Sequence, residues 1–150
     1  LISLAIIGKL SLLESLYKEI YVPLAVYKEV TEEEKPFSKE LEKFLNNKIK
    51  KVSNILAVEV LVSDIGIGES EAIVLALEKK PDLILIDDLK ARKFAKMNGL
   101  EVIGTMGILL KAKKVGLIKK IKPFISELLL NGIRISDKII EITLKASQEF

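Results

Sequence analysis

The sequence predicts an α/β domain in which a mainly parallel central sheet is covered by helices. Three observations carry this expectation. Short β-branched runs alternate with helical stretches, most legibly over residues 66–104, where a Gly-bounded helix start, a helix, the run LILI and a second helix follow one another. Apolar residues make up 49% of the chain and aromatic ones only 5%, so the core has to be packed from Leu, Ile, Val and Ala, the composition of buried parallel strands. Strands separated by helices also need crossover connections, which impose parallel pairing. At 150 residues the chain has the length of one domain, 1–150, and no low-complexity linker divides it.

The elements can be justified in chain order. Leu1, Leu4, Ala5, Leu12, Leu13 and Leu16 have helical spacing broken by Gly8, which predicts a helix, a turn and a second short helix. Ile20 to Val22 reads as a strand stopped by Pro23, which then opens a helix through Val30. TEEEKPFSKELEKFLNNK places Phe37, Leu41, Phe44 and Leu45 on a thin apolar stripe of a solvated helix. Ile49 to Val52 reads as a strand, and Asn54 to Ser63 is ambiguous between helix and strand. A helix follows GIG, Leu83 to Ile86 forms a strand, and the next helix ends near Asn98 and Gly99. Glu101 to Ile103 is another strand, Gly104 opens an apolar helix, and two further helices cover Pro123 to Leu130 and Ser136 to Ser147.

Composition excludes several kinds of chemistry. There is no Cys and no His, which removes disulfides, thiolate nucleophiles, the usual zinc sites and imidazole bases. Any catalysis has to use carboxylates, Lys, Tyr or hydroxyls. The net charge of +3, from 24 basic and 21 acidic residues, lacks the strong positive field of a dedicated duplex binder, and only Arg92 and Arg134 offer guanidinium forks. No apolar run approaches the roughly 18 residues needed to cross a bilayer. The apolar start lacks a basic leader, so no signal peptide is read and a cytoplasmic location is expected.

The acidic residues are the informative ones. Asp87 and Asp88 directly follow LILI, and the carboxyl end of a buried strand is where α/β sheets place ligand chemistry. One of the pair can cap the following helix, worth about 0.5–2 kcal/mol, which leaves the other to be explained. Glu69 and Glu71 sit in the first turn after GIG, where the helix dipole already favours them; two residues apart, they do not share a face. Glu29 lies near the end of its helix, where the dipole disfavours a carboxylate unless a cation compensates. Carboxylates on separate elements that meet in one pocket would repel without a cation, and a hard ion such as Mg²⁺ is the natural occupant.

LISLAIIGKLSLL, VPLAVYKEV, GIGESEAIVLALE, LILIDDLKARKFA and VIGTMGILLKAKKVGLI resemble, in order, segments of PIN domains, and most closely a small prokaryotic branch of unknown function. The resemblance covers nearly the whole chain and implies a three-layer α/β/α fold. It also implies a ribonuclease using Mg²⁺ or Mn²⁺, as in VapC-type toxins of toxin–antitoxin pairs, with an antitoxin protein as partner and a homodimer as the expected assembly. By segment matching, Glu29, Glu69 and Asp88 correspond to family acids, Asp87 is a neighbouring metal candidate, and Glu71 replaces Glu69 under a register shift of two. The family's first acid lies on a strand ahead of the LISL segment, so that strand is expected to be missing from this chain. The implied reaction is metal-assisted phosphodiester hydrolysis, with carboxylates holding one or two ions that activate water. Lys90 and Arg92 then lie where they could touch an RNA backbone. Two rivals remain: an inactive PIN-like module that binds or dimerises through apolar helices, and a phospho-receiver domain, which lacks its early acidic pair here.

Overall fold

A computed structural model describes residues 1–150. In chain order the elements are α1 (Ile2–Ile6), α2 (Ser11–Leu16), β1 (Val22–Pro23), α3 (Leu24–Val30), α4 (Ser38–Leu45), β2 (Ile49–Lys50), α5 (Ile55–Val62), α6 (Ile67–Lys79), β3 (Ile84–Leu85), α7 (Leu89–Met97), β4 (Val102–Ile103), α8 (Thr105–Lys114), α9 (Lys122–Leu130) and α10 (Asp137–Ala146). The α/β class with parallel pairing is what the sequence predicts. Spatial proximity divides the chain into two compact units, Ile20–Gly104 and a second made of Leu1–Glu19 with Thr105–Phe150.

All four strands lie in the Ile20–Gly104 unit. They form two parallel two-stranded ladders, β1 with β2 and β3 with β4, rather than one continuous hydrogen-bonded sheet. Each strand is two residues long, shorter than its β-branched run, because helix signals crowd both sides. Pro23 belongs to β1 and is the N-cap of α3, with φ −68° and ψ 151°, so the helix starts one residue later than the sequence suggests. Its ring presets φ, but the extended ψ is what pairing with Lys50 requires.

The core of this unit is aliphatic. Ile65, Ile73, Ala76, Ile84, Ile86, Ala91 and Ala95 form one cluster, with Leu61, Ala72, Phe94, Leu100 and Val102 packed against it. Helix α6 is the hub, touching α3, α5, α7, β1 and β3. The ambiguous segment after Asn54 is helical: the Asn54 side chain accepts from the Ala57 N–H at 3.0 Å, and Glu78 accepts from the Ser53 and Asn54 N–H groups. The charge cluster ahead of α4 stays out of that helix, which begins only after Phe37 takes a left-handed φ of 64°. Pro36 explains the delay, since it disfavours helical geometry in the residue before it.

In the other unit α2 packs on α8, α1 on α9, and α10 on α8. Leu4, Leu12, Leu13, Ile108, Leu109, Ile121 and Leu128 are buried there. Helix α9 has no side-chain cap of its own; instead the Glu149 carboxylate accepts from the backbone N–H groups of Ile121 at 2.7 Å and Lys122 at 2.9 Å. Lys113 completes the contact at 2.8 Å, and the Glu149 side chain is only 11% exposed. Burial by itself pushes this carboxyl up, but the Lys113 hydrogen bond, the two N–H donors and the Lys113 charge outweigh it and hold the pKa at about 2. No helix is long and apolar enough to cross a membrane.

Replacing Glu149 with Gln should lower unfolding stability by about 2 kcal/mol at neutral pH, the scale of hydrogen bonds to a charged group. Because the folded pKa is depressed, this contribution is complete above the ordinary value of 4.5 and is lost as the pH falls through about 2. Urea titrations of both proteins at pH 7 and pH 2 should show a gap that closes in acid.

Candidate functional site

The acids singled out by the sequence all fall in the Ile20–Gly104 unit, and the structure gives each a definite neighbour. Asp88 is the N-cap of α7, with its Oδ2 accepting from the Ala91 N–H at 2.8 Å. Its exposed neighbour Asp87 stands at the carboxyl end of β3. The register Leu85 with Ile103 brings that end beside Gly104, and Asp87 Oδ1 lies 3.0 Å from where a Cβ on Gly104 would stand.

Arg92 occupies the same corner. Its Nη1 donates to the Ile86 carbonyl at 2.7 Å and lies 2.8 Å from the same Cβ position on Gly104. The guanidinium therefore satisfies a carbonyl at the end of the strand, a use that the sequence reading of Arg92 as an RNA contact did not include. A signal was available, because Arg92 is four residues after the cap Asp88 and shares its helix face.

Glu29 and Glu69 each reach a glycine at the start of α6. Exposed Glu29, in the last turn of α3, places Oε2 3.0 Å from the Cβ position of Gly68, with Val26 Cγ2 at 3.3 Å. Half-buried Glu69 is the third residue of α6 and folds back over its N-cap, Gly66, so that its carboxylate oxygen takes the space a Cβ there would need. Glu71 points elsewhere: its Oε2 accepts from the Ala25 N–H at 2.6 Å and caps α3, whose N-cap Pro23 has no side-chain acceptor.

The donor chemistry suits a hard divalent cation, since only carboxylate oxygens are on offer. Their placement does not: no group of three or more acidic side chains lies close enough to share an ion. Glu29 and Glu69 lie beside Gly68 and Gly66, Asp87 and Asp88 follow the end of β3, and Asp88 and Glu71 are each turned to a backbone donor. Sequence reasoning missed Gly66, Gly68 and Gly104 as partners of these acids. Only their adjacency to acidic segments could have suggested it.

Short parallel ladders interleaved with helices define the class as an α/β protein. The PIN domain family model matches residues 1–149, and the chain belongs to the PIN domain family. PIN domains are generally nucleases that act on nucleic acid with divalent metals. Neither the curated proteins nor the solved structures compared with this chain give a match.

Glu71→Ala leaves the Ala25 N–H at the start of α3 without its acceptor and should cost about 1–2 kcal/mol. Thermal denaturation should therefore show a clear drop in Tm, whereas Glu29→Gln, which removes no backbone cap, should leave Tm near that of the wild type.

Proposed function

We propose that the chain is a metal-dependent endoribonuclease that hydrolyses RNA phosphodiester bonds with Mg²⁺ or Mn²⁺ as cofactor. The observation that carries this reading is the family match along residues 1–149. The working acids in it are Glu29, Glu69 and Asp88, with Asp87 as a further metal ligand. Support comes from Glu29 and Glu69 each reaching a glycine at the start of α6 and from the position of Asp87 and Asp88 at the carboxyl end of β3. A surface hollow of about 430 Å³ on α7, lined by Leu89, Arg92, Lys93, Lys96 and Met97, begins one residue after Asp88 and offers cations to a phosphate backbone. Both compact units belong to one domain in this reading. The biological setting proposed is the cytoplasm, as the toxin of a toxin–antitoxin pair that acts as a homodimer and is held by an antitoxin protein.

A second reading is a catalytically silent PIN module that works through protein contacts. It is favoured by the absence of three converging acids, and by α5, whose Ile55, Leu56 and Val60 are each more than 60% exposed.

Asp88→Asn separates the readings, because Asn caps a helix as well as Asp does. The variant should keep its stability within about 0.5 kcal/mol while Mn²⁺-dependent cleavage of single-stranded RNA falls on the order of 100-fold. Glu29→Gln and Glu69→Gln should behave alike in a gel-based cleavage assay. Undiminished cleavage by all three variants would overturn the assignment of these acids, and no cleavage by the wild-type chain would leave the silent module as the better reading.

A further inference from the structure

Seven of the eight glycines of this chain fall into two kinds. Gly8, Gly99, Gly116 and Gly132 have φ between 61° and 81°, and a Cβ added to any of them would meet nothing within 4 Å. These four serve backbone geometry, because the left-handed region suits a residue without a side chain. Gly66, Gly68 and Gly104 are not among the positive-φ glycines, and the space beside each Cα is taken by a carboxylate: Glu69 at Gly66, Glu29 at Gly68 and Asp87 at Gly104.

Gly68 states the case most sharply. It is buried in the second position of α6, where Ala would be the better helix former, so its presence weakens the helix it belongs to. What it supplies is room, since a methyl group there would stand 3.0 Å from Glu29 Oε2. Gly66 has φ −60° and ψ 159°, which any residue adopts, so backbone freedom does not account for it either. At Gly104 a methyl would press on both Asp87 Oδ1 and Arg92 Nη1. In all three places the nearest atom is the far end of a flexible side chain, although at Gly68 the branched Val26 also stands at 3.3 Å. A methyl group would therefore displace those side-chain ends first.

We infer that Gly66, Gly68 and Gly104 are positioning residues, each seating one carboxylate of the proposed site by leaving out a Cβ. The inference rests on the nuclease reading for its consequence but not for its geometry. Gly68 sacrifices helix stability for the placement of an acid, a trade expected at a working site.

The test uses the full chain and the variants Gly66→Ala, Gly68→Ala and Gly104→Ala, with Gly99→Ala as the backbone control. Three measurements are made on each: Tm, side-chain rotamers of Glu29, Glu69 and Asp87 from three-bond NMR couplings, and single-turnover cleavage of single-stranded RNA in Mn²⁺ buffer. The seated variants should stay folded by Tm, change the rotamer of the matching acid alone, and lose about 10-fold or more in cleavage rate. Gly99→Ala should lower Tm while couplings and cleavage stay as in the wild type. Couplings that stay unchanged in the three seated variants would overturn the seating, and cleavage that survives a changed rotamer would overturn the positioning role. A wild-type chain that cuts no RNA removes the nuclease reading and the positioning role together, whereas the couplings alone still decide whether the glycines seat the acids.

Discussion

The Glu71 carboxylate, reaching across 46 residues to the Ala25 N–H, ties the hub helix α6 to the start of α3. A helix start leaves N–H groups without intrahelical partners, and Pro23 cannot satisfy them because its side chain carries no acceptor. A carboxylate from another element meets that need and also sits favourably at the positive end of the helix dipole. The same device recurs twice, with Glu78 at the start of α5 and Glu149 at the start of α9. Tertiary carboxylate caps are thus a repeated means by which this chain fixes one helix against another.

That cap also sets the candidate site. Ala25 meets Glu71, and one helical turn later Glu29 meets Gly68, so α3 and α6 run past each other in opposite chain directions. The cap holds the register of that passage. Glu29 consequently arrives at the first turn of α6, where Glu69 already lies over Gly66. A carboxylate near the end of its own helix, which the dipole disfavours, is delivered to the start of another helix, which favours it.

The acids accordingly fall into two sorts. Glu71 and Asp88 spend an oxygen on backbone N–H groups, while Glu29, Glu69 and Asp87 lie over glycines. Like charges held on separate seats avoid the repulsion that would follow from crowding them together without a cation. The short ladders contribute as well: the β3–β4 register brings Asp87 to the level of Gly104.

Much of the fold was legible because it rests on local signals. The LILI run, the break at Gly8, the Asn98–Gly99 terminus and the helices near Pro123 and Ser136 are each written in a few adjacent residues. Segment resemblance likewise pointed to the PIN family, and the family model agrees. Non-local choices were not legible. Asn54 to Ser63 is helical partly because Glu78 caps it from 24 residues away, and the expected central sheet is two ladders because pairing depends on which strands come together. The candidate acids could be named from sequence, since carboxylates at helix and strand ends stand out against a chain without Cys or His. Which of them caps a helix and which lies over a glycine was decided only by tertiary structure, because a carboxylate takes its role from the donor or the empty space that folding places beside it.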